Sequence, residues 1–175
     1  MSSFKTDNFT FLDYTEMDDV MSRRVWECRN LSEIRKWMVN SDSISFMEHS
    51  RFIERLKLTG NSQYYCIIYN KSFIGSINIQ YESQESAERG IYLHPDFFGR
   101  NLALKVCNEF YAYLRDYTTI RYITTKVLQN NFSSNRLEES LHANKIDEDG
   151  KFNYYRIDIA LPKVIDSSSI ANKNP

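Results

Sequence analysis

The chain has 175 residues, 42% hydrophobic and 14% aromatic, which suits one domain with its own core and excludes disorder except at the ends. Its 22 Lys and Arg balance 23 Asp and Glu to a net charge of -1, so it has no general field for a polyanion and no nucleic-acid partner is expected. Cys28, Cys66 and Cys107 are widely spaced without a Cys-x-x-Cys pair, and the longest apolar run, Tyr64 to Tyr69, is too short to cross a bilayer; the expectation is a cytoplasmic protein with no metal and no membrane contact.

Glu16 to Cys28 and Ser32 to Met38 read as short helices, since charged and apolar residues mix at helical spacing. Ser45-Phe46-Met47-Glu48 carries the capping-box spacing and predicts a helix to about Leu58, ended by Gly60-Asn61-Ser62. Gln63 to Asn70 and Phe73 to Tyr81 then read as a hairpin about Asn70-Lys71, and Ala87 to His94 as a third strand stopped by Pro95. Leu102, Val106, Phe110, Tyr113 and Leu114 form one stripe of a helix over Asn101 to Tyr117. A strand over Arg121 to Leu128, a helix over Phe132 to His142, a turn over Asp147 to Lys151 and a strand over Phe152 to Leu161 complete the order. The sum is an α+β fold, a largely antiparallel sheet flanked by helices in one domain over 1–163, with a mobile tail over 164–175.

The junction from Pro95 to Ala103 ends a strand and opens a helix with Gly99 between, a geometry that aims several backbone N–H groups at one anion such as a pyrophosphate. By itself the pattern recurs in many folds that bind nothing there. In this order of elements, however, Phe98-Gly99-Arg100-Asn101-Leu102-Ala103 resembles the coenzyme A loop of the GNAT N-acetyltransferases, whose pattern is Gln/Arg-x-x-Gly-x-Gly/Ala. Phe98 stands at the polar first position and Asn101 at the first glycine, while Ala103 matches directly. Asn tolerates left-handed geometry, so the amides of Arg100 to Ala103 are still expected to converge on phosphate.

Asn131-Phe132-Ser133-Ser134 resembles the family's Asn-x-x-Ser/Ala stretch, and the continuation to Glu139 is also similar to the subgroup that acetylates ribosomal-protein N-termini. The resemblance implies splayed central strands, acetyl-CoA as cosubstrate, and pantetheine pairing with the backbone of Ile91, Tyr92 and Leu93. It places Asn131 by the thioester and Ser134 in the cofactor site. The Tyr that often protonates the leaving thiolate is Glu138 here, so either another donor serves or no dedicated acid is used, the second being favoured because a thiolate is a tolerable leaving group.

Arg29-Asn30, Trp37-Met38, Ile44-Ser45, His49-x-x-Phe52-Ile53-Glu54, Gly75-Ser76 and Gly90-Ile91-Tyr92 together resemble the amino-sugar N-acetyltransferases of the pseudaminic acid pathway. That resemblance implies a nucleotide-linked deoxyamino sugar as acceptor, a role in surface polysaccharide or flagellin glycan biosynthesis, and a homodimer. Arg29 and His49 would face the nucleotide, Met38 and Phe52 the sugar's methyl face, and Tyr92 would also line the substrate site. Each has a plainer role of about equal weight, as helix-end charge, backbone partner or core. Amine attack on a thioester needs a proton acceptor, and Glu88 is the candidate, against the plainer reading of a solvated strand charge beside Arg89. The alternatives are a protein N-terminal or small-amine acetyltransferase and a non-catalytic coenzyme A sensor.

Overall fold

The computed structural model describes residues 2–160; the predicted domain end at 163, the tail and Leu161 lie outside the described residues. The chain opens with two strands absent from the sequence reading, β1 (Phe4–Lys5) and β2 (Phe9–Asp13). A 3-10 turn over Tyr14–Glu16 leads into α1 (Asp19–Asn30), whose Asp18 side chain accepts from the Met21 amide, and the four-residue α2 (Ser32–Arg35). α3 (Phe46–Thr59) begins on the predicted capping box, with both Ser45 and Glu48 bonds present, and ends on left-handed Gly60.

β3 (Ser62–Tyr69) and β4 (Ser72–Tyr81) form the predicted hairpin, and its turn residues Asn70 and Lys71 both take positive φ, 48° and 65°, as a tight turn matched to strand twist requires. β5 (Ser86–Leu93) stops at Pro95, α4 (Leu102–Tyr117) follows, and β6 (Tyr122–Leu128), α5 (Phe132–Ser140) and β8 (Phe152–Asp158) occupy their expected places. Between the last two lies a further strand, β7 (Asn144–Glu148), which takes in the start of the segment read as a turn.

The strands make one sheet in the order β1-β2-β3-β4-β5-β6-β8-β7, antiparallel except where β5 meets β6. That parallel contact has only three rungs, Ser86 with Tyr122, Ala87 with Ile123 and Glu88 with Thr124, although β5 runs on to Leu93 and β6 to Leu128. Beyond the third rung the two strands part. Each keeps its other neighbour throughout, β5 along seven pairs with β4 and β6 along seven with β8. The sheet therefore holds a wedge-shaped gap without losing its frame.

Strand alternation sends successive side chains to opposite faces. Ile77, Ile79, Ala87, Leu93 and Ile123 pack with Leu102, Val106, Phe110 and Leu114 of α4 in the main core. The other face carries Cys66 under Tyr14, Val25, Ile53 and Leu56, with Phe52 and Tyr64 packed against them, so α1 and α3 cover it.

Gly75 sits where β4 holds one extra residue against β3, pairing with Ile67 while Phe73 pairs with Ile68. A Cβ there would lie 2.2 Å from the Tyr92 carbonyl oxygen and 2.7 Å from the Leu93 Cα, both backbone atoms. Gly75→Ala is expected to push β5 away from β4 and to cost about 1–3 kcal/mol, read as a lower urea midpoint at unchanged slope.

Candidate active site

The backbone polarity of β5 follows from one hydrogen bond. His94 N–H donates to the Ile74 carbonyl at 2.8 Å, so along the unbroken register the main-chain groups of Tyr92, Gly90 and Glu88 also turn to β4. Those of Arg89, Ile91 and Leu93 turn the other way, into the gap, where β6 no longer reaches them. An extended amide-bearing arm adds there as a strand would. Of the three residues predicted to pair with pantetheine, Ile91 and Leu93 offer main-chain groups to the gap, whereas Tyr92 offers only its side chain, on the α1/α3 face.

At the wide end of the gap the loop before α4 takes left-handed turns at Gly99 (φ 72°) and Asn101 (φ 55°, ψ 20°). Asn101 stands at the N-cap without making a side-chain cap bond, and no acidic residue occupies the first turn. The amides of Leu102, Ala103 and their neighbours are thus left for an anion, and the helix dipole favours one. Arg100 stacks over Phe97 at 5.3 Å, and Phe98 is 52% exposed, apolar surface beside the cradle in place of a polar side chain. These residues fit a diphosphate, with a pantetheine arm continuing toward the apex.

Asn131 caps α5, accepting from the Ser134 amide at 3.2 Å, and is nearly buried. Next to it Asn135, which the sequence reading passed over, donates to the carbonyls of Leu128, Gln129 and Asn131 and accepts from Asn153 and Tyr155, tying α5 to β6 and β8. Only the Asn-rich run around it hinted at such a hub. Glu138 is 2% exposed and its carboxylate accepts from Arg89, 49 residues away, in a buried ion pair at the apex of the gap. Desolvation opposes the guanidinium's charge, and Tyr111, Cys107 and Glu138 outweigh it, holding Arg89 well above its ordinary value. The Glu138 carboxylate is thus committed to a cation.

Glu88 lies on the last rung beside Thr124, on the α1/α3 face and exposed. Desolvation raises its carboxyl above the usual 4.5, with Glu82 adding to the rise and Lys126 opposing it. Of the acceptor residues, Phe52 packs edge-on against Tyr64 at 4.9 Å, and Met38 is half-buried in the segment between α2 and α3. Arg29 spends its fork on the carbonyls of Asp42 (2.7 Å) and Asn40 (2.8 Å), fastening that same segment. His49 is 3% exposed, between the rings of Tyr14 and Phe46, and burial lowers its pKa, so it stands inside the helical layer rather than on its surface. A depression of 310 Å³ lined by Asp19, Val20, Arg23, Arg24 and Glu27 lies on α1 and contains none of these residues.

A parted pair of strands with free amides on one edge and an uncapped helix at its mouth is the acyl-coenzyme A site of an acetyltransferase. Residues 8–144 match the Acetyltransferase (GNAT) domain model, and the chain belongs to that family. It is similar to acetyltransferase PseH of Campylobacter jejuni, 27% identical over 142 residues that cover 81% of this chain and 88% of that protein. The crystal structure of that species' N-acetyltransferase PseH with acetyl coenzyme A superposes with a TM-score of 0.71 at 21% identity, covering 86% of this chain and 98% of that one. The fold is shared as well with spermidine N-acetyltransferase from Vibrio cholerae in complex with CoA and spermine, at TM-score 0.78 and 15% identity over 89% and 98% of the two chains. RimL, a ribosomal L7/L12 alpha-N-protein acetyltransferase, gives TM-score 0.74 at 14% identity over 89% and 96%. The protein is an acetyl-CoA-dependent N-acetyltransferase, and among the described residues no acidic, His or Cys cluster could hold a metal and no helix is long and apolar enough to cross a membrane.

Two outcomes test this geometry. Arg89→Met strands the Glu138 carboxylate in the interior and is expected to cost about 3–5 kcal/mol in urea unfolding, most of it recovered when Glu138→Leu is added. Asn101→Val forces a β-branched residue into left-handed backbone and is expected to weaken coenzyme A binding about tenfold by calorimetry, whereas Asn101→Gly leaves it unchanged.

Proposed function

We propose that the acceptor is the amino group of a nucleotide-linked deoxyamino sugar, acetylated in the course of surface polysaccharide or flagellin glycan biosynthesis. The observation that carries the reading is the 27% identity to PseH across most of both chains, joined to the sequence resemblance at Arg29, Met38, His49 and Phe52. The site chemistry agrees: Phe52 and Tyr64 offer an apolar edge for a deoxysugar's methyl group, and the Met38 segment, fastened by Arg29, borders the same layer. His49, buried behind Tyr14, would support that wall rather than touch a nucleotide. All three cysteines are free and buried, in keeping with a reducing cytoplasm.

Acetyl-CoA when bound supplies a thioester whose carbonyl carbon the amine attacks. The gap-facing amides of Ile91 and Leu93 would hold its arm in register, the α4 N-terminus its diphosphate, and Asn131 would stand near the thioester end. Glu88 would take the proton that the amine loses on attack, its raised carboxyl being a stronger base than an ordinary surface carboxylate. Glu82 and Glu88, beside the paired end of the gap, also suit a polyamine, which makes a small-amine acceptor the second reading.

The test is acetyl transfer to a panel of nucleotide-linked amino sugars, N-terminal peptides and polyamines, followed by thiol release and product mass. Turnover confined to an amino sugar is expected; turnover on peptides or polyamines alone would overturn the acceptor assignment. A base must be deprotonated, and folding raises the Glu88 value above 4.5, so kcat/KM is expected to fall with decreasing pH along an acid limb that begins above 4.5. Glu88→Gln is expected to abolish that limb and lower kcat by about a hundredfold or more; survival of the wild-type rate and profile would remove Glu88 as the base.

A further inference from the structure

The α1/α3 face of the central strands is laid out by register. Tyr64, Asn78 and Gly90 stand side by side in one row across β3, β4 and β5, and Cys66, Ser76 and Tyr92 in the next. Ser62, Gln80 and Glu88 form the row on the other side. Asn78 and Tyr92 therefore occupy adjacent rows of the face that also bears Glu88, beside the gap.

Three hydroxyls on this face form a chain whose direction is fixed by counting hydrogens. Ser76 Oγ donates its single proton to the Tyr65 carbonyl at 3.0 Å. The 2.6 Å contact between Tyr14 and Ser76 must then be donated by Tyr14. Tyr14 having no second proton, its longer 3.5 Å contact with Tyr92 is donated by Tyr92. The proton of Tyr92 points inward and its remaining lone-pair capacity outward, so this half-buried phenol meets the cleft as an acceptor of hydrogen bonds. Burial keeps the phenol protonated, its pKa raised.

Asn78 is half-buried in a strand whose flanking Ile77 and Ile79 belong to the core on the other face, and its carboxamide makes no hydrogen bond to any described residue. What places it is the glycine next door. A Cβ on Gly90 would lie 2.5 Å from Asn78 Oδ1, so the carboxamide leans over β5 through space that any side chain at 90 would fill.

We propose that the Asn78 carboxamide and the Tyr92 hydroxyl together orient the acceptor amine before attack, each accepting a hydrogen bond from one of its N–H groups while the nitrogen lone pair is left for the thioester carbon; once the C–N bond has formed, one of these N–H groups turns to Glu88 in the next row, which takes its proton as the thiolate leaves. A primary amine in its reactive neutral form has two N–H groups and one lone pair, and two fixed acceptors settle which way the lone pair faces. Tyr14 and Ser76 act as positioning residues, since they set the polarity of Tyr92. This rests on the acetyltransferase reading of the gap but not on the nature of the group that carries the amine.

Steady-state kinetics with the best amine of the panel above, at saturating acetyl-CoA, test it alongside calorimetry with coenzyme A. Asn78→Leu is expected to raise KM for the amine about tenfold, the loss of one hydrogen bond, with coenzyme A affinity unchanged within about twofold. Asn78→Ser, smaller and still polar, is expected to act in the same direction should the leucine disturb folding. Gly90→Ala is expected to reproduce the Asn78→Leu effect by displacing the carboxamide. Tyr14→Phe releases the Tyr92 proton and is expected to raise the amine KM severalfold in the wild-type background yet to add nothing to Tyr92→Phe. Unchanged amine KM in Asn78→Leu, Asn78→Ser and Tyr14→Phe overturns the proposal, as does an equal loss of amine and coenzyme A affinity, which would mark a purely structural role. Failure of the wild-type protein to bind coenzyme A would sink the reading of the gap itself, an outcome distinct from both.

Discussion

Everything in this structure that bears on acetyl transfer depends on β5 and β6 ceasing to pair after three rungs. Two parallel strands that part in mid-sheet leave backbone donors and acceptors without partners, a cost that a closed sheet avoids. The fold sustains it because each strand is held along its whole length on the other side, by β4 and by β8. The free edge of β5 then needs something that pairs as a strand does, and an acyl-pantetheine arm with its amides is such a partner.

The apex of the gap is where the sheet changes from paired to open, and it is also where the molecule buries a charge pair. Arg89 is the first β5 residue past the last rung, and it reaches α5 through Glu138, while Asn135 three residues earlier ties α5 to β6 and β8. One side of the wedge is thereby fastened to the other through a helix rather than through sheet hydrogen bonds. A buried ion pair is a weak source of net stability but is strict about geometry, because losing either partner leaves the other desolvated. That strictness suits a point that must set the angle between two strands.

What the sequence disclosed was what depends on neighbours in the chain. The capping box at Ser45 and Glu48, the Asn70-Lys71 turn, the stripe of α4 and the left-handed tolerance of Asn101 are settled within a few residues, and each is present in the fold. β7, Asn-Lys-Ile-Asp-Glu with every residue exposed, has no apolar pattern because it exists as an edge laid on β8, and β1 is two residues long. β2 did carry an alternation, with Phe9, Phe11 and Asp13 buried, but five residues beside a polar start read too weakly. The site shows the same division. The left-handed turn at the α4 N-terminus is local and was legible, whereas the Arg89 and Glu138 pair spans 49 residues and the partnership of Asn78 with Gly90 exists only through strand register. His49 and Phe52 lie on one helix, yet only packing against Tyr14 and Tyr64 decides that the first is enclosed and the second stays half-buried.

The alternation of β5 separates two tasks along a single strand. Its odd residues turn main-chain groups to the gap and side chains to the α4 core, so on the proposed assignment the cosubstrate would be gripped largely by backbone, and by the backbone of the α4 turn. Its even residues turn main chain to β4 and side chains to the α1/α3 layer, so the acceptor as proposed would meet side chains. Backbone recognition asks of the sequence only that the chain follow its path, which is why Phe98 and Asn101 can depart from the coenzyme A pattern while the left-handed turn survives. Side-chain recognition asks for particular groups, and on this face the proposed ones are Glu88, Asn78 in the room that Gly90 makes, and Tyr92. On that assignment, substitutions among the even positions would alter which amine is accepted without disturbing the hold on acetyl-CoA, and substitutions at the odd positions would act chiefly through the core. Arg89 is the exception that joins the two, an odd residue whose side chain, through Glu138, fixes the opening on which both tasks depend.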